Sequence, residues 1–313
     1  MNLIPAQVFG RGRSFVVLLA LGVMFLSGCA TSVRVPISSD SRTQLGAVIG
    51  IVGLRQQEIG TEINTSNVSA ATGGGLIAAI VDSSIDNSRA KKAESAVTPL
   101  RDALINYQPG NILAVDLQKA LATVPGVSPS HVDVRQIIDP NTTAGWINGS
   151  GGASVLLVNL SYKLSPNFGS IIVSAEVSLH AGGSRLASVA QNKPNLPPLV
   201  YYNVFSSTYT LFGLSDAPTL DGMAKLWAAN GGQSAQKALD VELQELAVMI
   251  AYDLTAPSPS DGKSYKAPET AEIRQIQIYG TPGRPFQEGY IEHKTDGRAW
   301  VRLPLGQLSG IAQ

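Results

Sequence analysis

Cys29 is the only thiol in the chain, and the three histidines, His131, His180 and His293, stand far apart in sequence. A zinc site needs three or four ligands and a disulfide needs a second cysteine, so the spacing offers neither. There is no His-Glu-x-x-His pair and no Gly-x-Ser-x-Gly elbow. Ser161, Ser178 and Ser207 fall in strand-like runs, where serine is ordinary. Asp82 and Asp86 lie one helical turn apart, with Arg89 three residues on. Paired carboxylates can do acid/base work or bind calcium, but two are not a calcium loop, and a solvated helix face is the expected reading. Lys163 and Glu176 share the polar face of one hairpin but lie three residue pairs apart in the expected register, too far for a catalytic pair. Gly73-Gly74-Gly75 could turn backbone N–H groups toward a phosphate, yet it lacks both the Gly-Lys-Ser/Thr ending and the dinucleotide-binding spacing. These residues therefore predict no catalytic site, no metal site and no cofactor.

The informative residue is Cys29, because of what precedes it. Arg11 and Arg13 form a positive start, Ser14 to Phe25 is a short apolar run, and Leu26-Ser27-Gly28-Cys29 closes it. The run is far short of the about 20 apolar residues that span a bilayer. The pattern resembles the lipobox of bacterial lipoproteins, in which the chain is cut before the cysteine and the sulfur is lipidated. The resemblance implies a signal peptide over 1–28 and lipidation of Cys29 by palmitate-class acyl chains. One chain binds a membrane only marginally, at about 0.8 kcal/mol per buried methylene. Lipoproteins of this class carry more than one, which implies stable anchoring. Ala30, rather than an aspartate, follows the cysteine, and this implies the outer membrane, facing the periplasm.

Composition limits what the anchored body can be. The chain has 23 basic and 23 acidic residues, and loss of Arg11 and Arg13 leaves the mature part slightly acidic. No basic patch of the kind nucleic acid requires is present. Without disulfides, the fold must rest on core packing.

Residues 29–44, polar and carrying Pro36, read as a tether. Leu45 to Leu54 admits a Gly-xxx-Gly helix or a buried strand with close backbone contacts. The strand is favoured, because three glycines weaken a soluble helix by about 1 kcal/mol each. Gln56 to Asn64 would be a second, more polar strand. Helix is expected from Leu76 to Tyr107, with a kink or new start at Pro99, and over the stripe Leu113, Leu117, Leu121, Val124. His131 to Ile138 reads as a strand and Trp146 to Gly152 as a Gly/Ser loop.

The clearest signal is a hairpin over 154–180. Even positions are apolar before Ser165 and odd positions after it, so an even residue must face an odd one if both apolar sets share a side. A four-residue loop pairs Leu164 with Gly169 and Leu160 with Val173. Arg185 to Ala190 is a further strand candidate, and Val200 to Leu211 reads as a strand and as a candidate sheet edge. Thr219 to Asn230 is a short helix closed by Gly231-Gly232. Gln233 to Leu254 is the strongest helix, with Leu239, Leu243, Leu246, Ile250 and Leu254 on the stripe and Asp240, Glu242 and Glu245 off it. Thr255 to Thr270 is linker-like. After it, a two-residue turn at Asp296-Gly297 pairs Thr295 with Arg298 and His293 with Trp300.

The expected fold class is α+β: an antiparallel or mixed sheet built on the long hairpin, packed by amphipathic helices. The expected division is a signal peptide (1–28), a tether (29–44), an α/β periplasmic domain (45–254), a linker (255–270) and a small β appendage (271–313). The element order is similar to the small α/β sandwich of curli-secretion and penicillin-binding-protein-activator lipoproteins, but no motif matches and no site residue is carried over. The function expected is that of a non-catalytic envelope assembly factor, held at the membrane through Cys29 and presenting a sheet edge or the C-terminal segment to an envelope protein. The alternatives are a homo-oligomeric subunit of a secretion apparatus and an envelope hydrolase.

Overall fold

The computed structural model describes residues 34–38, 41–42, 45–63, 76–137, 140–182, 199–211, 219–256, 265, 267–277, 286–295 and 297–312, with backbone alone for 76–84, 140–141 and 277. Cys29, the glycines at 73–75 and the strand candidate at 185–190 lie outside the described residues, as does the side chain of Asp82.

The fold is α+β, with ten strands in one mixed sheet and four helices among the described residues. The strands are β1 (Gly46–Leu54), β2 (Gly60–Thr61), β3 (Val127–Gln136), β4 (Ser154–Leu164), β5 (Ser170–His180), β6 (Leu199–Thr210), β7 (Ile273–Gln277), β8 (Phe286–Thr295), β9 (Arg298–Arg302) and β10 (Leu308–Ala312). The helices are α1 (Leu76–Ala103), α2 (Pro109–Leu121), α3 (Pro140–Asn148) and α4 (Leu220–Thr255). The sheet runs β3-β1-β4-β5-β6-β10-β9-β8-β7, and β2 extends beside β4. β1 is parallel to both β3 and β4, and β10 is parallel to β6; the other neighbours in this order are antiparallel.

Each layer follows from side-chain alternation. On β4 the even residues Leu156, Val158, Leu160, Tyr162 and Leu164 are buried in the main core, and on β5 the odd residues Ile171 to Leu179 join them. α4 covers β5 and β6, α2 covers β1 and β3, and α1 and α2 both pack on α4. On the other face α3 brings Ile147 against Ile51, Val155 and Leu157. β1 is a buried strand for the reason its glycines suggested: a Cβ on Gly50 would lie 2.8 Å from Val132 Cγ2, so the bare backbone lets β3 close in. Of the expected strand from Gln56, the described residues 56–63 contribute only the two residues of β2.

The hairpin keeps the expected parity but shifts by two residues. Leu164 faces Ile171, Leu160 faces Ala175 and Val158 faces Val177. The cause is a six-residue closure. Ser165 N donates to Ser170 O at 2.9 Å, Asn167 Oδ1 accepts from Gly169 N at 3.0 Å, and Phe168 turns to φ 59° with its side chain buried. Trp227 Nε1 donates to Phe168 O at 2.7 Å and fixes the turn against α4.

Three other expectations change. Pro99 does not break α1: it removes one N–H donor, but Ala93, Ala96, Val97 and Leu100 are buried on both sides of it and hold the helix through. Residues 146–148 belong to α3 rather than a loop, with Pro140 at the helix start, where its missing N–H costs nothing. The proposed edge, Val200 to Leu211, is interior: β6 pairs with β5 on one side, and on the other with Leu308–Gly310 and, through Tyr202, with Val35. The small β appendage expected over 271–313 is present as β7–β10, and it joins the main sheet through β10 and β6. In α4, residues 229–232 leave helical geometry, with Asn230, Gly231 and Gly232 all at positive φ, so the two helices expected there meet at the glycine pair. The turn at Gly297 pairs Thr295 with Arg298 and His293 with Trp300, as the dipeptide predicted.

The tether is docked from Arg34 onward in the described residues. Arg34, Ile37 and Ser41 are buried, and Arg42 donates to the carbonyls of Thr255 and Ala256, both at 2.8 Å. A cation there meets the unsatisfied carbonyl end of α4.

Candidate functional site: a buried charge network at α4

Three carboxylates on α4, Glu242, Glu245 and Asp253, are buried. Each lies one position before a member of the apolar stripe, Leu243, Leu246 and Leu254, so the helix turns them toward β6 and β9. β9 answers with alternate residues Arg298, Trp300 and Arg302, which share one side of the strand. β6 adds Tyr201, Asn203 and Ser207 from its helix-facing side.

Asp253 is the centre. Its Oδ2 accepts from Tyr201 OH at 2.6 Å, Arg34 Nε at 2.9 Å and Asn203 Nδ2 at 2.9 Å. Its Oδ1 accepts from Arg302 Nη2 at 2.7 Å. Arg302 also forks onto Glu292 and donates to Gly306 O at 2.8 Å. The Tyr265 ring lies 5.0 Å from the Arg34 guanidinium and 5.2 Å from that of Arg302. Burial alone would push the Asp253 carboxyl up, but Arg302 and Arg34, with the Tyr201 and Asn203 hydrogen bonds, hold it below the usual range. Tyr201 is driven the other way, by burial and then by the Asp253 charge.

At the other end, Arg298 bridges Glu242 and Glu245. Ser207 Oγ donates to Glu245 Oε2 at 3.1 Å and Trp300 Nε1 donates to Glu245 Oε1 at 2.9 Å. Two carboxylates share one guanidinium, and burial wins over Arg298 at Glu242, whose carboxyl is raised. β10 reaches this cluster through Gly310, where a Cβ would stand 2.7 Å from Glu245 Oε1 and 2.8 Å from Ser207 Oγ.

The residues singled out from sequence are dispersed. His131 sits on β3 with Asp133 at 3.6 Å, His180 at the end of β5, and His293 on β8 against Trp300, with ring centroids 4.4 Å apart. Asp86 meets Arg89 at 4.0 Å on the surface of α1. Lys163 pairs with Glu62, and Glu176 with Arg55 at 3.6 Å. Ser161 and Ser178 are half-buried strand residues. Only Ser207 enters the network, buried beside a carboxylate and an arginine. Among the described residues, no three His, Cys, Asp or Glu side chains gather as metal ligands, and no helix is long and apolar enough to cross a membrane.

The open features lie elsewhere. A cleft of about 430 Å³ runs between β5–β6 and the C-terminal strands, lined by Ser174, Thr208, Gln275, Ile276, Gln307 and Ile311 among others. The sheet ends at β3 and β7, and no described strand pairs with the outer side of either.

No family model matches the chain and no curated protein matches it. Among solved structures it is similar to a PelC variant dodecamer from Paraburkholderia phytofirmans, with 13% identity and a TM-score of 0.26, over 72% of this chain and 96% of that one. A likeness at that level carries no argument about function.

Proposed function

We propose that the chain is a lipid-anchored envelope protein, held at the outer membrane through Cys29 and facing the periplasm, that works by binding a protein partner rather than by catalysis. The observation that carries this reading is the double use of Asp253. It binds Arg34, five residues beyond Cys29, and Arg302 of the C-terminal strands. Five residues reach at most about 17 Å, so lipid on Cys29 would keep the body close to the bilayer. The same carboxylate fixes β9, and with it the outer strands β8 and β7, to that anchored core. The buried charges thus act as a rigid mount for the end of the sheet, which is the surface left open to a partner.

Mass spectrometry of the protein from its native host tests the anchor. The expected result is a chain beginning at acylated Cys29, with Cys29→Ala leaving the membrane fraction. An intact, unmodified leader would overturn it. Partner binding is tested by recovery of cross-linked envelope proteins from cells carrying surface variants of β7. Recovery unchanged by every such variant counts against the presenting role. Deleting 271–313 is a poor test, because it removes Arg298, Trp300 and Arg302 and strands three buried carboxylates.

A further inference from the structure

We infer that β7 is a self-pairing edge: two copies of the chain join antiparallel through Ile273–Gln277, about a two-fold axis at Gln275. The inference rests on the proposed membrane-anchored, partner-binding role and names the partner as a second copy.

The two ends of the sheet differ in how they meet solvent. At β3 the edge carries Pro129, a register shift at Val48/Ile49 that skips Ser130, and the charged row His131, Asp133 and Arg135. Proline, bulges and charge are the devices that keep an edge from recruiting strands. At β7 the five residues Ile-Arg-Gln-Ile-Gln contain no proline, and their pairing with β8 is regular throughout. The one cation, Arg274, is neutralised by Glu272, with Nε to Oε1 at 2.9 Å. Beside this edge stand two large exposed apolar side chains, Ile273 at 52% and Phe286 at 59%.

Hydrogen-bond alternation gives the register. Ile291 N donates to Glu272 O at 2.8 Å, so Glu272, Arg274 and Ile276 direct their backbone groups toward β8. Ile273, Gln275 and Gln277 then point theirs outward. A two-fold at Gln275 uses all three: Gln275 faces Gln275 of the partner subunit, and Ile273 faces Gln277 of the partner subunit. Moving the axis to Arg274 would set two arginines opposite each other. Moving it to Ile273 would run the pairing out of the strand, into the turn in which Ala271 N bonds Pro268 O. The Gln275 register also sets Ile273 of each copy beside position 277 of the other, so this exposed apolar residue no longer ends the sheet. Five-residue strands make a small interface. Anchoring both copies in one membrane raises their effective concentration and lets a weak contact hold.

The test uses the full mature chain, in detergent and again in lipid vesicles. Opposed hydrogen-bonded residues lie about 5.5 Å apart at Cα, within the about 4.4–6.8 Å that a disulfide spans. Under mild oxidation, Gln275→Cys is expected to give a covalent dimer, while wild type and Gln277→Cys are not. Gln275→Pro removes an outward N–H, which an edge strand tolerates. It is expected to weaken the dimer about tenfold or more by mass photometry, with the unfolding midpoint unchanged. Linkage through Gln277→Cys instead of Gln275→Cys overturns the register and the inference with it. If neither variant links but Gln275→Pro releases a co-purified envelope protein, self-pairing is wrong and the partner-binding role stands. If neither links and Gln275→Pro changes nothing, both are wrong.

Discussion

Asp253→Asn separates a structural charge network from an ornamental one. The carboxylate is buried and accepts from four side chains, two of them arginines that are themselves buried. Asparagine keeps the shape but removes the charge, and turns an N–H₂ group toward donors. Arg302 keeps Glu292 as its other carboxylate partner. Breaking a buried ion pair from one side costs about 3–5 kcal/mol. At about 2–4 °C per kcal/mol for a domain of this size class, the melting temperature should fall by roughly 6–20 °C. Asp116→Asn, which breaks an exposed contact to Lys119 at 3.0 Å, should cost at most about 1 kcal/mol. The pH dependence adds a second, independent check. The folded state holds the Asp253 carboxyl below its ordinary range, so its contribution is complete above that range and is lost as pH falls through the folded value. The gap between wild type and Asp253→Asn should therefore be constant near neutrality and close below about pH 4. Urea melts of the mature chain in detergent at pH 7 and through the acid range measure both. A neutral-pH difference under about 1 kcal/mol, or a gap that ignores acid, would refute the reasoning.

Three further predictions come from the Glu242–Glu245 end of the network. Arg298→Met leaves Glu242 and Glu245 without their shared guanidinium and should destabilise by about 3–5 kcal/mol; a melt within 1 kcal/mol of wild type (about the value of a surface pair) would contradict the bridge. Glu242→Gln should behave oppositely to Asp253→Asn with pH. Burial raises the Glu242 carboxyl, so wild type loses stability as pH climbs from the ordinary carboxylate range through the folded value, and the glutamine variant gains on it over that window. Gly310→Ala pushes a methyl into Glu245 and Ser207 and should cost about 1–3 kcal/mol in urea melts, whereas an unchanged midpoint would mean β10 can move away freely.

The parts of the fold that were legible are those where one period dominates. The inverted parity of 154–164 and 170–180 fixed which residues face the helices, and the Asp-Gly turn fixed the β8–β9 pairs from Thr295–Arg298 to His293–Trp300, up to the register shift beyond His293. The hairpin offset was not legible, because parity is blind to a shift of two. What decides it is Phe168 entering the core at positive φ, a tertiary contact with Trp227. β6 reads as an edge by its composition, and only the long-range return of β10, together with the bridge from Val35, makes it interior. The anchor expectation rests on Cys29 and its leader alone, and lies outside the described residues.

The charge network had a sequence signal that single-element reading discards. Glu242 and Glu245 read as the solvated side of an amphipathic helix, because carboxylates normally are. Yet with Met249 and Asp253 they repeat at steps of 3, 4 and 4, a second helical stripe flush against the apolar one. A solvated face has no need of that register, or of a methionine within it. The partner signal is Arg298-x-Trp300-x-Arg302, whose spacing of two puts both guanidiniums and the indole N–H on one side of a strand. An acidic stripe at helical period and a basic one at strand period can neutralise each other only if helix and strand pack face to face. In a chain with only 15% charged residues, that match is itself a contact prediction across some 50 residues of sequence. It is specific enough to fail: exchanging the charges of Arg302 and Asp253 together should recover part of the stability that either reversal alone removes. No recovery in the double variant would mean that Arg34, Tyr201 and Asn203, rather than the helix–strand pair, decide the sign of charge at that site.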